Sequence, residues 1–484
     1  MLRHVDSERR LSWRSGGVSD SMWRGPAGGG RDERVGRSRL FWRRAAAKKG
    51  QQVLDRLVLL RTVTLKQLGE GEAGEKAVSR FLHNERVSEA ELIASARSHV
   101  LAQVAGRRVL AIQDTSEINF SRQRRRKSKF GRGGNGTDPG FFVHPVLVVD
   151  ADSGVVLGLV DTQLWERHVP AGGARSRGMA EKESSRWLVG AEAAACLRGA
   201  GASSVTVIAD REGDVYAAFA RRPADVELLV RAQTERNLAG GGHLFEHLDG
   251  LPIADRFTLE LPAVPGRAAR TAKMVLRYGP VALRRPLQGV DRALPKSVAL
   301  YALDVREIDP PKGVPPVHWR LLSSAPISSL KTAHRMIADY RRRWHVEQLF
   351  RTLKSQGLGL EDSQVESPHA LRNLALIALR AAVICMQLVH ARDGADQRPA
   401  SAAFEDDDIA VLEVIAADVN GRTTRLSNPF KPQSLPWAAW IIARLGAWSG
   451  ARDARPPGPI TMHRGLQRFQ AIAHGFRLAN VSVR

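Results

Sequence analysis

Three acidic residues stand where a carboxylate can be both rigid and reachable. Asp114 closes the apolar run Arg108–Gln113 (RVLAIQ), and Asp210 closes Val205–Ala209 (VTVIA); each run is strand-like, with the acid at its tip. Glu347 lies in a periodic stretch that predicts one long helix from about Ile327 to Lys354. Along it Tyr340, Arg343, Glu347 and Lys354 are offset by 0, 3, 7 and 14 residues. At about 100° per residue they share a sector of roughly 60°, beside an apolar stripe of Val346, Leu349, Phe350 and Leu353. One helix face thus offers an acid, two cations and a phenol. Three carboxylates on separate rigid elements are the donor set that holds two Mg²⁺ or Mn²⁺ ions about 3.5–4 Å apart, one for the attacking and one for the leaving oxygen of a phosphodiester. Each residue alone has a plainer reading, a turn or cap for a strand-end Asp and a solvated face for the mixed helix. The three together, in this order, point to phosphoryl chemistry.

The elements that must position these acids follow from the periodicity. Val53, Leu54, Leu57, Leu60 and Val63, then Val78, Phe81 and Leu82, recur at helical spacing between about Arg44 and His99. This basic helical region, 46–105, reads either as a DNA reader or as helices packing on the rest. His144–Asp150 and Val155–Val160 form a strand pair around the turn Asp150–Gly154; Lys182–Arg198 is an Ala-rich helix, and Val226–Arg231 is a further strand. Strands, helix, then a strand with an acid at its tip describe a mixed α/β core over 106–234 and 326–368. Residues 235–325 alternate Gly/Pro turns with short runs such as Val298–Val305 and His318–Leu322, and read as an all-β insertion. Residues 369–484 read as helical. Residues 1–45, rich in Gly and Arg, read as disordered or as an extension ahead of the true start, with Met22 as an alternative start.

Composition narrows the partner. Lys and Arg total 73 against 50 acids, a net charge of +23 over 484 residues, and a chain of that sign is best matched to a polyanion such as nucleic acid. Cys196 and Cys385 are the two cysteines, both in apolar helical patterns, so free thiols in a reducing cytoplasm fit better than a bridge. No Cys/His cluster suggests zinc, and the N-terminus lacks the apolar run of a secretory signal. The longest apolar stretch, Leu374–Val389, is broken by Arg380 and reads as too short to cross a bilayer.

The spacing Y-x2-R-x3-E-x6-K of Tyr340, Arg343, Glu347 and Lys354 resembles the signature of DDE transposases of the insertion-sequence type-four family. DREGD from Asp210 is similar to that family's DREAD string, and LAIQDTSEINF around Asp114 to its first-aspartate block. VHPVLVVD from Val143, EKESSRWL (Glu181–Leu188) and LPWAAWIIARLG (Leu435–Gly446) also resemble family blocks, in matching order over about residues 75–484. The resemblance implies an α/β, RNase H-like catalytic core with an all-β insertion and helical N- and C-terminal domains, the C-terminal one serving dimerisation. It implies that Asp114, Asp210 and Glu347 are the catalytic and metal-binding triad for two Mg²⁺ (or Mn²⁺) ions. Tyr340, Arg343 and Lys354 would bind the phosphates of a transposon end, Arg231 the terminal nucleotides, and Trp319 would stack on a flipped base. The runs Arg341–Arg343 and Arg122–Lys129 are expected to follow the DNA backbone, with a solvated loop as the alternative for the second.

The expected activity is therefore metal-dependent cleavage at the transposon's inverted-repeat ends and strand transfer into target DNA, cut-and-paste through a hairpin. A homodimer would pair the ends in a synaptic complex in the bacterial cytoplasm, at the nucleoid and away from membranes. The rivals are a catalytically silent DNA-binding relic or inhibitor of transposition, and an RNase H-like nuclease.

Overall fold

The computed structural model describes residues 33–134, 136–167, 183–261, 268–288, 290–354, 357–392, 394, 396–404, 406–421, 423–451 and 457–481. Two compact units divide the chain, Met1–Gln51 and Gln52–Arg484, and helix α1 (Glu33–Leu60) runs through the boundary. The disorder expected for 1–45 is corrected from Glu33 onward, where helix-favouring Arg, Ala, Lys and Gln dominate the sequence; residues 1–32 lie outside the described residues.

In the larger unit α2 (Leu65–Gly69), α3 (Glu72–His83) and α4 (Glu89–Leu101) precede the sheet. Ser88 caps α4 by accepting from the Glu91 amide at 3.2 Å. Strands β1 (Arg108–Gln113), β2 (Ser116–Asn119), β3 (Gly140–Asp150) and β4 (Val156–Trp165) follow, then α5 (Arg186–Ala194), α6 (Cys196–Gly199), β5 (Ser204–Ala209), α7 (Tyr216–Arg221) and β6 (Glu227–Arg231). β1 is parallel to β5 and β5 to β6, while β3 runs antiparallel to β1, β2 and β4. Every residue of β3 is buried, which requires cover on both faces. On one face Val109, Ala111, Val146, Val148, Val205 and Val207 pack with Trp187 and Phe219. Their alternates Leu110, Ile112, Leu147, Val149 and Ile208 point the other way and are equally buried.

The stretch 235–325 contains α8 (Leu244–Gly250), β7 (Asp255–Leu261), β8 (Arg270–Arg284), β9 (Ser297–Ile308) and β10 (His318–Ser323). The reading of an all-β insertion is corrected in two respects: it carries a helix, and its strands extend the central sheet. β10 accepts β6 on one edge and β9 on the other, so a single ten-stranded sheet runs β2-β3-β1-β5-β6-β10-β9-β8-β7, with β4 also on β3.

The single helix expected over 327–354 is two helices, α9 (Leu330–Arg341) and α10 (Trp344–Leu353). Between them the amides of Arg342, Arg343, His345 and Val346 each bond back three residues rather than four, which tightens the winding. Tertiary bonds hold the tighter turn: Arg342 donates to the Asp152 carbonyl at 3.0 Å, and Arg343 turns toward two carboxylates.

Among the described residues four α-helices follow, α11 (Pro368–Ala391), α12 (Asp406–Val419), α13 (Leu435–Leu445) and α14 (Pro459–Val481). The apolar stretch read as too short for a bilayer belongs to α11, whose 24 residues are long and apolar enough to cross one. Burial decides its role: 78% of its apolar window is inside the fold, against α3, α4, α10, α13 and β4. Cys196 and Cys385 are free, and Cys385 is buried in α11.

Candidate active site

Asp114 owes its place to a fault in the sheet. β1 pairs with β3 up to Gln113↔Val146, and β2 resumes pairing at Ser116↔Val143, so Asp114 and Thr115 stand at the break, opposite His144 and Pro145. Pro145 has no N–H to give a neighbouring strand, which suits an interruption there. Asp210 follows the last residue of β5 and caps the short turn Arg211–Gly213, accepting from the Glu212 amide at 2.9 Å. Since β1 and β5 are adjacent and parallel with Ile112↔Ile208 in register, the two aspartates leave the same end of the sheet side by side. Glu347 lies in the first turn of α10, which packs on β1.

The electrostatics follow from this convergence. The Asp114 carboxyl is pushed up to about 7, by burial first and then by the nearby Asp210 carboxylate, with a smaller push from Glu347, against lowering by the Thr115 amide and Arg343. Arg343 bridges the acids, with Asp114 at 3.2 Å and Glu347 at 2.6 Å; its side chain is 14% exposed. Burial works against the Arg343 charge, yet Tyr340, Glu347 and Asp114 together raise its pKa above the usual arginine value.

Tyr340 and Arg231 stand close by. The phenol is buried, and burial raises its pKa although Arg343 and Arg231 pull it down. Burial lowers the pKa of Arg231, at the end of β6, which donates to the His318 carbonyl at 2.7 Å. Trp319 on β10 meets Tyr340 edge to face, with ring centroids 6.0 Å apart. Arg343, Tyr340, Arg231 and Trp319 form one neighbourhood with Asp114, Asp210 and Glu347. Lys354 departs from the expected helix face. It follows the last residue of α10 with non-helical backbone and pairs with Glu361 at 3.4 Å, so the single sector drawn through all four signature residues does not survive the break at 342–343.

The run Arg122–Lys129 also needs correction. Its arginines and Lys129 are exposed, but Lys127 is fully buried, bonded to the Val365 carbonyl and set over the rings of Phe120 and Phe130 at 4.7 and 5.6 Å. Burial lowers its pKa to about 8. Lys127 anchors the loop and does not reach a phosphate.

Sequence reasoning missed the groups around the aspartates. His144, fully buried with its pKa far below the usual value because of that burial, meets Thr115 Oγ1 at 2.9 Å and Gln113 Oε1 at 3.0 Å. Arg186 donates to Thr115 Oγ1 at 2.9 Å and to Glu212 at 2.7 Å. Both lie in the strings VHPVLVVD and EKESSRWL, which marked them as of interest without assigning a task. Gly213, the departure from DREAD, has a packing reason. A Cβ there would stand 2.4 Å from the Ala209 Cβ and 3.1 Å from the Trp187 ring.

The donor set suits a hard divalent cation: three carboxylates, with Asp114 ionising reluctantly beside two like charges until a cation arrives. As the side chains stand, no group of three His, Cys, Asp or Glu among the described residues is closed enough to hold an ion, and Arg343 serves as the counter-charge. The residues therefore fit a metal by the chemistry of the donor set, and Arg343 would have to move aside. Residues 202–384 match a family model described as a transposase DDE domain. The match takes in Asp210, Trp319, Tyr340, Arg343 and Glu347; Asp114 precedes it.

Proposed function

We propose that this chain is a DNA transposase of the insertion-sequence type-four kind, with an RNase H-like core, that cleaves transposon ends and joins them to target DNA. The matched transposase DDE domain supports transposase function in general. The single observation that carries the finer reading is the approach of three carboxylates from β1, β5 and α10, close enough that two of them raise the pKa of the third. Asp114, Asp210 and Glu347 would hold two Mg²⁺ or Mn²⁺ ions, which when bound supply Lewis acidity to the scissile phosphodiester and favour the attacking oxygen's anion.

The chain's own residues divide the remaining work. Arg343, Arg231 and the Tyr340 phenol line the same neighbourhood and would grip backbone phosphates, the guanidiniums through paired N–H groups. Trp319, edge to face with Tyr340, would offer a ring on which an unstacked base can rest while a strand end folds into a hairpin. Lys354, outside this neighbourhood, would meet phosphate farther along the duplex. The helical regions 46–105 and 369–484 would read the ends and pair two copies in a synaptic complex on chromosomal DNA.

Incubation of the purified chain with duplexes carrying the element's terminal inverted repeats and Mg²⁺ should give strand cleavage. Glu347→Gln should reduce it by more than about a hundredfold, beyond what loss of a group merely supporting a ligand costs, while leaving end binding intact. Binding without cleavage by the unaltered chain favours the silent relic, and undiminished cleavage by Glu347→Gln removes the triad.

A further inference from the structure

The two aspartates sit on separate turns, and nothing in the sheet itself sets the distance between those turns. Beyond Ile112 and Ile208 the parallel ladder has ended, and two carboxylates leaving side by side repel. One side chain spans the gap. Arg186, the first residue of α5, sends its Nε–H to Thr115, next to Asp114, and an Nη–H to Glu212, two residues beyond Asp210. Its guanidinium lies against the rings of Trp165 and Trp187, 5.3 Å from each centroid, and the side chain is 12% exposed.

The bonds beyond Thr115 run in one direction. Arg186 has no acceptor, so Thr115 Oγ1 accepts from it and turns its own proton to His144 Nδ1. Neutral His144 then carries its proton on Nε2 and donates to Gln113 Oε1, and the Gln113 amide donates to the Trp187 carbonyl at 3.1 Å. The chain starts and ends at neighbouring residues of α5 and fixes the residues on both sides of Asp114. The Thr115 amide in turn holds Asp114 at 2.7 Å.

We propose that Arg186 is a positioning residue that sets the separation of Asp114 and Asp210, clamping the Thr115 turn to the Glu212 turn so that both carboxylates serve one pair of divalent cations. This rests on the metal-binding reading of the triad. Arg186 need touch neither DNA nor ion, and its effect is on cation affinity.

Mn²⁺ titrations by calorimetry on the full chain test it without relying on cleavage. Arg186→Gln should weaken Mn²⁺ binding about ten- to a hundredfold, the range for groups that orient ligands. Glu212→Gln, on an exposed side chain that cannot cost the fold, should weaken it severalfold on its own. The double variant should be no weaker than Arg186→Gln, because both changes break one link. Arg186→Lys should recover part of the affinity. Unchanged Mn²⁺ binding in Arg186→Gln and Glu212→Gln, with binding still abolished by Glu347→Gln, overturns the clamp alone; additive losses in the double variant overturn it as well. Mn²⁺ binding that Glu347→Gln leaves intact overturns the clamp together with the triad.

Discussion

Arg343 and Asp114 carry the charge balance of the site at the scale of single residues, a guanidinium set between carboxylates and one carboxyl held back from ionising. An aspartate raised from 3.8 to about 7 holds a proton in the folded chain where the unfolded chain has lost it. Stability should therefore fall as pH rises from about 4 to about 7 and level off above, the opposite of the usual ion-paired carboxylate. A shift of this size corresponds to at most about 4 kcal/mol, and relaxation will bring it to roughly 1–3 kcal/mol. Thermal melts of the metal-free chain across this range should show the decline, and Asp114→Asn should flatten it. Mn²⁺ should reverse it, with a gain in Tm that is small at pH 5 and grows through pH 7, because the ion takes the place of the proton. A Tm gain independent of pH would mean that Asp114 does not meet the ion.

The run Arg122–Lys129 gives the clearest lesson at the scale of elements. Seven charged or amide side chains in eight positions look alike in sequence, yet the fold sorts them. Lys127 is drawn inward by a carbonyl 238 residues away and by two phenyl rings, while its neighbours remain in solvent. Arg125→Ala and Arg126→Ala should each lower the salt slope of DNA binding by about one, and Lys127→Met should leave the slope unchanged. Equal effects from all three would undo the distinction. Short-range pattern made other elements readable: β1 matches the apolar run Arg108–Gln113 because a strand buried on both faces must be continuously apolar. β5 follows for the same reason, and β1 and β5 together give the positions of Asp114 and Asp210. The break between α9 and α10 was not readable, because it depends on where Asp152, Asp114 and Glu347 lie in space. The same holds for Arg186, whose partners Thr115 and Glu212 are 71 and 26 residues away, and for β10, which joins the insertion to the core sheet through contacts that no local period encodes.

At the scale of the whole molecule, α11 touches helices from before the sheet, the strand β4, the helix that carries Glu347, and helices from the C-terminal region. Regions that read as separable in sequence share this one hydrophobic axle. Its concealment has a consequence for how the protein is made. α11 is synthesised well before α13 and α14 exist to cover it, so a chain halted after Ala391 presents a 24-residue greasy rod with part of its circumference bare. By length and hydropathy alone such a rod resembles a membrane anchor. A fragment ending at residue 391 should be recovered with membranes or in aggregates on fractionation, whereas the full chain should stay in the supernatant. If the fragment stays in the supernatant, the late helices are an accessory to α11, and its shelter is already complete when it leaves the ribosome.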